Sequence, residues 1–121
     1  MVRVTKHWSV AELADDTQLI VSELATNAIK VTRDYNASMG ITELGRIRLR
    51  FRWNAPSLIT EVWDINPLLP QRREPDDLDE SGRGLGIVEA LCTRWDAYHC
   101  AEGKIVWAEQ RIPQPTHPSI L

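Results

Sequence analysis

Ser22-Glu23-Leu24-Ala25-Thr26-Asn27-Ala28-Ile29-Lys30-Val31 is the stretch on which the fold turns. Its apolar residues Leu24, Ala28 and Val31 continue a run opened by Leu19 and Ile20, close to a 3.6-residue period. An amphipathic helix is therefore predicted. Asp15-Asp16-Thr17 stands just before it, and Asp16 or Thr17 is expected to cap its N-terminus, where a carboxylate suits the helix dipole. The helix is expected to give way to a polar loop over Asp34–Gly40. Glu23 and Asn27 lie four positions apart and so share one helical face.

Outward from this helix, the plainest strand follows. Arg46, Arg48, Arg50 and Arg52 alternate with Ile47, Leu49, Phe51 and Trp53. A period of two sends the guanidinium groups to one face and the large apolar groups to the other. One wet face predicts an antiparallel sheet covered by helices on its other side. Asn54-Ala55-Pro56-Ser57 turns the chain into a second strand, Leu58–Asp64. If Leu58, Thr60 and Val62 point inward, Asp64 does too, while Glu61 lies outside, able to pair with the arginines. An inward carboxylate without a partner costs several kcal/mol, on the order of other unpaired buried charges, which makes Asp64 a candidate site residue.

The segment Asn66–Ser81 carries Pro67, Pro70, Pro75 and five acidic residues without apolar period, the character of a lid. Gly82-Arg83-Gly84-Leu85-Gly86 then opens a helix running to about Leu91, and Trp95–Cys100 with Lys104–Gln110 reads as a closing hairpin around Ala101-Glu102-Gly103. The expected architecture is a single α+β domain over residues 1–112, a two-layer sandwich, with 113–121 as a tail. The five tryptophans are expected in core and sheet packing, and the arginine row as a solubilised face.

Composition bounds the function. A length of 121 residues suits one domain. A net charge of −3 offers no general attraction to nucleic acid or to an anionic membrane. Cys92 and Cys100 form no CxxC pair and fit a reducing, cytoplasmic setting. The three histidines are dispersed and form no metal or catalytic pattern.

The separated pieces complement one ligand. The Asn27 carbonyl oxygen can ligate Mg²⁺ while phosphate oxygens and waters complete its shell. Glu23, one turn earlier, can orient or deprotonate a water or hydroxyl. A carboxylate at Asp64 accepts a hydrogen bond from the adenine amino group and disfavours guanine, which presents an acceptor there. Gly82, Gly84 and Gly86 let backbone N–H groups approach phosphates, assisted by a helix N-terminus. Arg83 is a candidate phosphate contact; Leu85 lies in the same turn, though its side chain reads better as core. The glycine turn lacks the Lys-Ser/Thr of a Walker P-loop.

In this order the motifs resemble the Bergerat-fold (GHKL) ATP-binding family, most closely its bacterial anti-sigma-factor serine kinase branch, over about Asp15 to Glu109. Glu23-Leu24-Ala25-Thr26-Asn27 corresponds to the N box, Val62-Trp63-Asp64 to the adenine-reading strand end, 67–81 to the lid, Gly82–Val88 to the glycine-rich box, and Gly103–Trp107 to the last motif. The resemblance implies ATP and Mg²⁺ as cofactors, Glu23 as the catalytic base, and Asn27, Asp64, Gly82, Arg83, Gly84, Leu85 and Gly86 as the nucleotide site. It implies a sigma factor and a STAS-type antagonist as partners, with serine/threonine kinase activity toward the antagonist.

There are departures. Asp-x-Gly-x-Gly, usual after the adenine Asp, is here Asp64-Ile65-Asn66-Pro67-Leu68, so the pocket floor must be built differently. Glu80 stands where kinase members carry an arginine for the γ-phosphate, which supports an alternative reading: a nucleotide sensor that transfers no phosphate. Only Met1–Leu13 precede the Asp-Asp stretch, shorter than usual, and a homodimer is an expected remedy. A histidine-kinase catalytic domain and a nucleotide-free interaction domain are the remaining readings.

Overall fold

The computed structural model describes residues 10–70 and 83–112. In chain order these are α1 (Val10–Ser38), β1 (Arg48–Asn54), β2 (Ser57–Asp64), α2 (Arg83–Leu91), β3 (Arg94–His99) and β4 (Lys104–Arg111). The four strands form one antiparallel sheet in the order β1-β2-β4-β3, with α1 and α2 packed together on one face. This is the α+β sandwich that the alternation in β1 predicts.

Helix α1 starts earlier and ends later than expected. Asp16 and Thr17 are interior, and Thr17 points its hydroxyl back to the Leu13 carbonyl oxygen at 2.8 Å instead of capping. The residues before them, Val10 to Ala14, carry no helix breaker, so the local cap signal loses to continuation. At the far end Asp34–Ser38 stay helical, and the stop is Gly40 at φ +70. The Ile41 N–H donates to the Asn36 carbonyl (2.8 Å) and the Gly40 N–H to that of Ala37 (3.3 Å), the paired bonds of a Schellman ending.

The face of α1 that meets the sheet is the row Ile20, Leu24, Ala28 and Thr32, all buried, with the Thr32 hydroxyl satisfied by the Ala28 carbonyl. Leu19, by contrast, is exposed. These residues meet Val62, Val106, Ala108 and Trp95 from the sheet and Leu85 and Val88 from α2 in one core.

Edge strand β1 departs from expectation. Its register sets Leu49, Phe51 and Trp53 opposite Val62, Thr60 and Leu58, on the helical side as the alternation requires. Yet the three are 44%, 50% and 62% exposed, because the helices cover the middle of the sheet and stop short of its β1 edge. Trp53 is therefore surface, not packing. On the other face Arg50 Nε and Arg52 Nε reach Glu61 at 2.5 and 3.1 Å, the pairing expected of Glu61. That face is less polar than an arginine row suggests: Arg48 and Arg94 lie over the rings of Trp63 and Trp107.

Three strands are clamped there through Glu109, which accepts from the Ser57 hydroxyl and from Arg94 Nε, both at 2.6 Å. Those two bonds, Ser57 first, hold its carboxyl below the ordinary glutamate range. A depressed folded value stabilises above the unfolded pKa, and the gain is lost as pH falls through the folded one. Ser57→Ala is thus expected to lower neutral-pH stability by about 1 kcal/mol, typical of one hydrogen bond. Urea titrations at stepped pH should show the gap to wild type narrowing in acid; a gap independent of pH would contradict this role for Glu109.

Candidate nucleotide site

Glu23, Asn27 and Val31 follow one another at four-residue intervals beside the buried row of α1, and all three are half-buried. They form the rim of the packed face, where a side chain is held in place yet reachable. Among the described contacts neither the Glu23 carboxylate nor the Asn27 amide is engaged, so both are available to a ligand.

The end of β2 is fastened to that rim. Asn66 Nδ2 donates to the Val31 carbonyl at 3.0 Å, one helical turn (~6 Å along the axis) beyond Asn27. Asp64, two residues earlier, is thereby held close in sequence to a point on α1 that lies one turn past Asn27 and two past Glu23. The two stretches are joined by tertiary bonds across thirty-five positions of chain.

Asp64 is 1% exposed on the helical face, as its inward register predicts. Its partner is Lys104, directly opposite on β4, with Nζ 2.8 Å from Oδ1 and a side chain only 3% exposed. The same oxygen accepts the Asn66 N–H at 2.9 Å. Lys104 Nζ donates a second bond to the Asn66 carbonyl at 2.8 Å. Burial pushes the Asp64 carboxyl above the ordinary aspartate range, outweighing Lys104 and the Asn66 N–H, which pull it down. All described bonds go to Oδ1, so Oδ2 is the oxygen left for an incoming donor. A buried carboxylate oxygen with spare acceptor capacity has the chemistry to accept from an adenine amino group.

The missing glycines are answered by side chains. Besides its bond to Val31, Asn66 accepts the Leu68 N–H through Oδ1 at 2.9 Å. His99 Nε2 lies 2.8 Å from the Pro67 carbonyl; since that oxygen only accepts, Nε2 carries the proton. Gly103, at φ +85, lies so close beneath β2 that a Cβ would sit 2.0 Å from the Asp64 carbonyl oxygen. Together these hold 64–68 in one course with no glycine in it.

Arg83–Gly86 do not form a free loop: they are the first turn of α2. What this turn offers an anion is its unpaired backbone N–H groups. The Leu85 side chain is committed to the core at 6% exposure, and Gly86 has open space around its missing Cβ, so no steric need for glycine exists there. Gly82 and residues 71–81 of the expected 67–81 lid lie outside the described residues, as does the side chain of Arg83.

Lys104, Asn66 and His99 escaped the sequence reading. The one available signal was the need of an inward Asp64 for a cation, but that cation stands forty positions away and is identified only by strand pairing. Among the described residues no cluster of three His, Cys, Asp or Glu is placed to hold a metal ion, and no helix is long and apolar enough to cross a membrane. Any Mg²⁺ here would rest on Asn27 and on the phosphates themselves.

Neither the curated proteins nor the solved structures include a match to this sequence. Residues 3–109 do match one family, described as the histidine kinase-like ATPase domain. With that match over most of its length, and with the sheet order and site geometry above, the chain belongs to the histidine kinase-like ATPase domain family, a membership that implies binding of ATP.

Proposed function

We propose that the protein is a Mg-ATP-dependent anti-sigma regulator with serine/threonine kinase activity toward a STAS-type antagonist. The observation that supports this reading is the tie from Asn66 to Val31, which anchors the chain just past Asp64 to α1 one turn beyond Asn27. ATP lies with its base at Asp64 and its phosphates toward the first turn of α2 and Asn27. When bound, Mg²⁺ neutralises phosphate charge and orients the terminal phosphoryl group. Asn27 contributes its amide oxygen as a neutral ligand, and Glu23 takes the proton from the attacking hydroxyl. The sigma factor and the antagonist dock as protein partners, and the protein acts as a homodimer.

A second reading, nucleotide sensing without transfer, is favoured by Glu80 at the position where a γ-phosphate arginine would stand, and by a base-site carboxylate that already has a cation beside it. Isothermal titration with ATP, with and without Mg²⁺, tests the common core of both. Asn27→Ala is expected to weaken binding about 10-fold or more in Mg²⁺ and little without it, the loss of one charge-assisted contact. An equal loss in both conditions would remove Asn27 from the metal. Transfer of labelled phosphate to an antagonist separates kinase from sensor.

A further inference from the structure

The pair at the base site has unused capacity. An ammonium group has three N–H donors, and Lys104 spends one on Asp64 Oδ1 and one on the Asn66 carbonyl. Asp64 spends Oδ1 twice and leaves Oδ2. Among the described bonds one donor and one acceptor thus remain, on two side chains that are directly opposite in the β2–β4 register. The edge of adenine presents the complement: an acceptor at ring nitrogen N1 and a donor at the N6 amino group. Guanine carries a proton on N1, which would meet the ammonium donor to donor.

We propose that Lys104 is a specificity-determining residue of the nucleotide site, donating its third N–H to adenine N1 while Asp64 Oδ2 accepts from N6. This rests on the ATP-site reading above and adds to it a second point of base recognition. The geometry favours it: the lysine is held by two bonds at 2.8 Å and is nearly all buried, so little side-chain freedom remains to be lost when a ligand accepts its third N–H.

The test compares ATP with 1-deaza-ATP, in which N1 is replaced by C–H, by calorimetric titration of the wild-type protein, with 7-deaza-ATP as control. Loss of a hydrogen bond from a charged donor should weaken 1-deaza-ATP about 10- to 100-fold relative to ATP. 7-deaza-ATP should bind like ATP. Lys104→Met, checked for folding by circular dichroism, should bind ATP and 1-deaza-ATP alike. Equal affinities of the two nucleotides for the wild type would overturn the role of Lys104 and leave the ATP site standing. Tighter ATP binding by Lys104→Met would likewise overturn it, since the lysine would then compete with the base for Asp64. Absence of heat with ATP itself would remove the nucleotide site and this proposal together.

Discussion

Asp64→Ala is expected to cost about 3–5 kcal/mol of folding stability, the scale of breaking a buried ion pair from one side. The reason is what stays behind. Lys104 Nζ is held 2.8 Å from Oδ1 with its side chain 3% exposed, so removing the carboxylate strands a positive charge between sheet and helices. The variant also loses the acceptor of the Asn66 N–H, and with it one of the bonds that direct Asn66 toward Val31. Urea unfolding followed by tryptophan fluorescence measures the loss. Asp64→Leu combined with Lys104→Met should recover most of it, because an apolar pair has no charge to desolvate. A single variant within about 1 kcal/mol of wild type, the range of exposed ion pairs, would show that the pair is solvated.

Gly103→Ala is expected to be of similar size for a different reason, about 3–5 kcal/mol, at the upper tail of single substitutions. An added Cβ would lie 2.0 Å from the Asp64 carbonyl oxygen, 2.8 Å from the Ile65 Cα and 2.9 Å from the Asp64 carbonyl carbon. All three are backbone atoms of the β2 exit, so no side-chain rotation relieves the clash. The residue also sits at φ +85, where a side chain adds roughly 1–2 kcal/mol of strain. Relief requires the β3–β4 turn to lift from β2, which would move Lys104 with it. Thermal unfolding and ATP titration should therefore decline together; a stable variant with wild-type affinity would show that the turn can move without disturbing the base site.

Much of the molecule was legible along the chain, and the failures share a pattern. Alternation in Arg46–Trp53 assigned the strand and its faces, though Arg46 and Ile47 precede β1, because side-chain direction in a strand is a property of the backbone. It did not say whether the apolar face would be covered. Leu49, Phe51 and Trp53 remain exposed because the extent of the helical layer depends on how α1 and α2 pack on each other and on β2. Likewise Asp16-Thr17 reads locally as a cap and Asp34–Ser38 as a loop. Both lie within α1, whose ends were decided by helix-compatible residues upstream and by the left-handed Gly40 downstream.

The candidate site divides along the same line. Spacing by itself determined that Glu23 and Asn27 share a helical face, that Asp64 turns inward and that a helix opens at the glycine-rich box, since each is a matter of local geometry. Only the tertiary structure decided which cation answers Asp64, how Asn66 replaces glycine by bonding to Val31, and that Leu85 belongs to the core. Those outcomes depend on β4 inserting between β2 and β3, a pairing between residues some forty positions apart. Such a register is selected by burial of Val62, Val106 and Ala108 against α1 and α2 acting together, a collective choice that no single stretch of chain encodes.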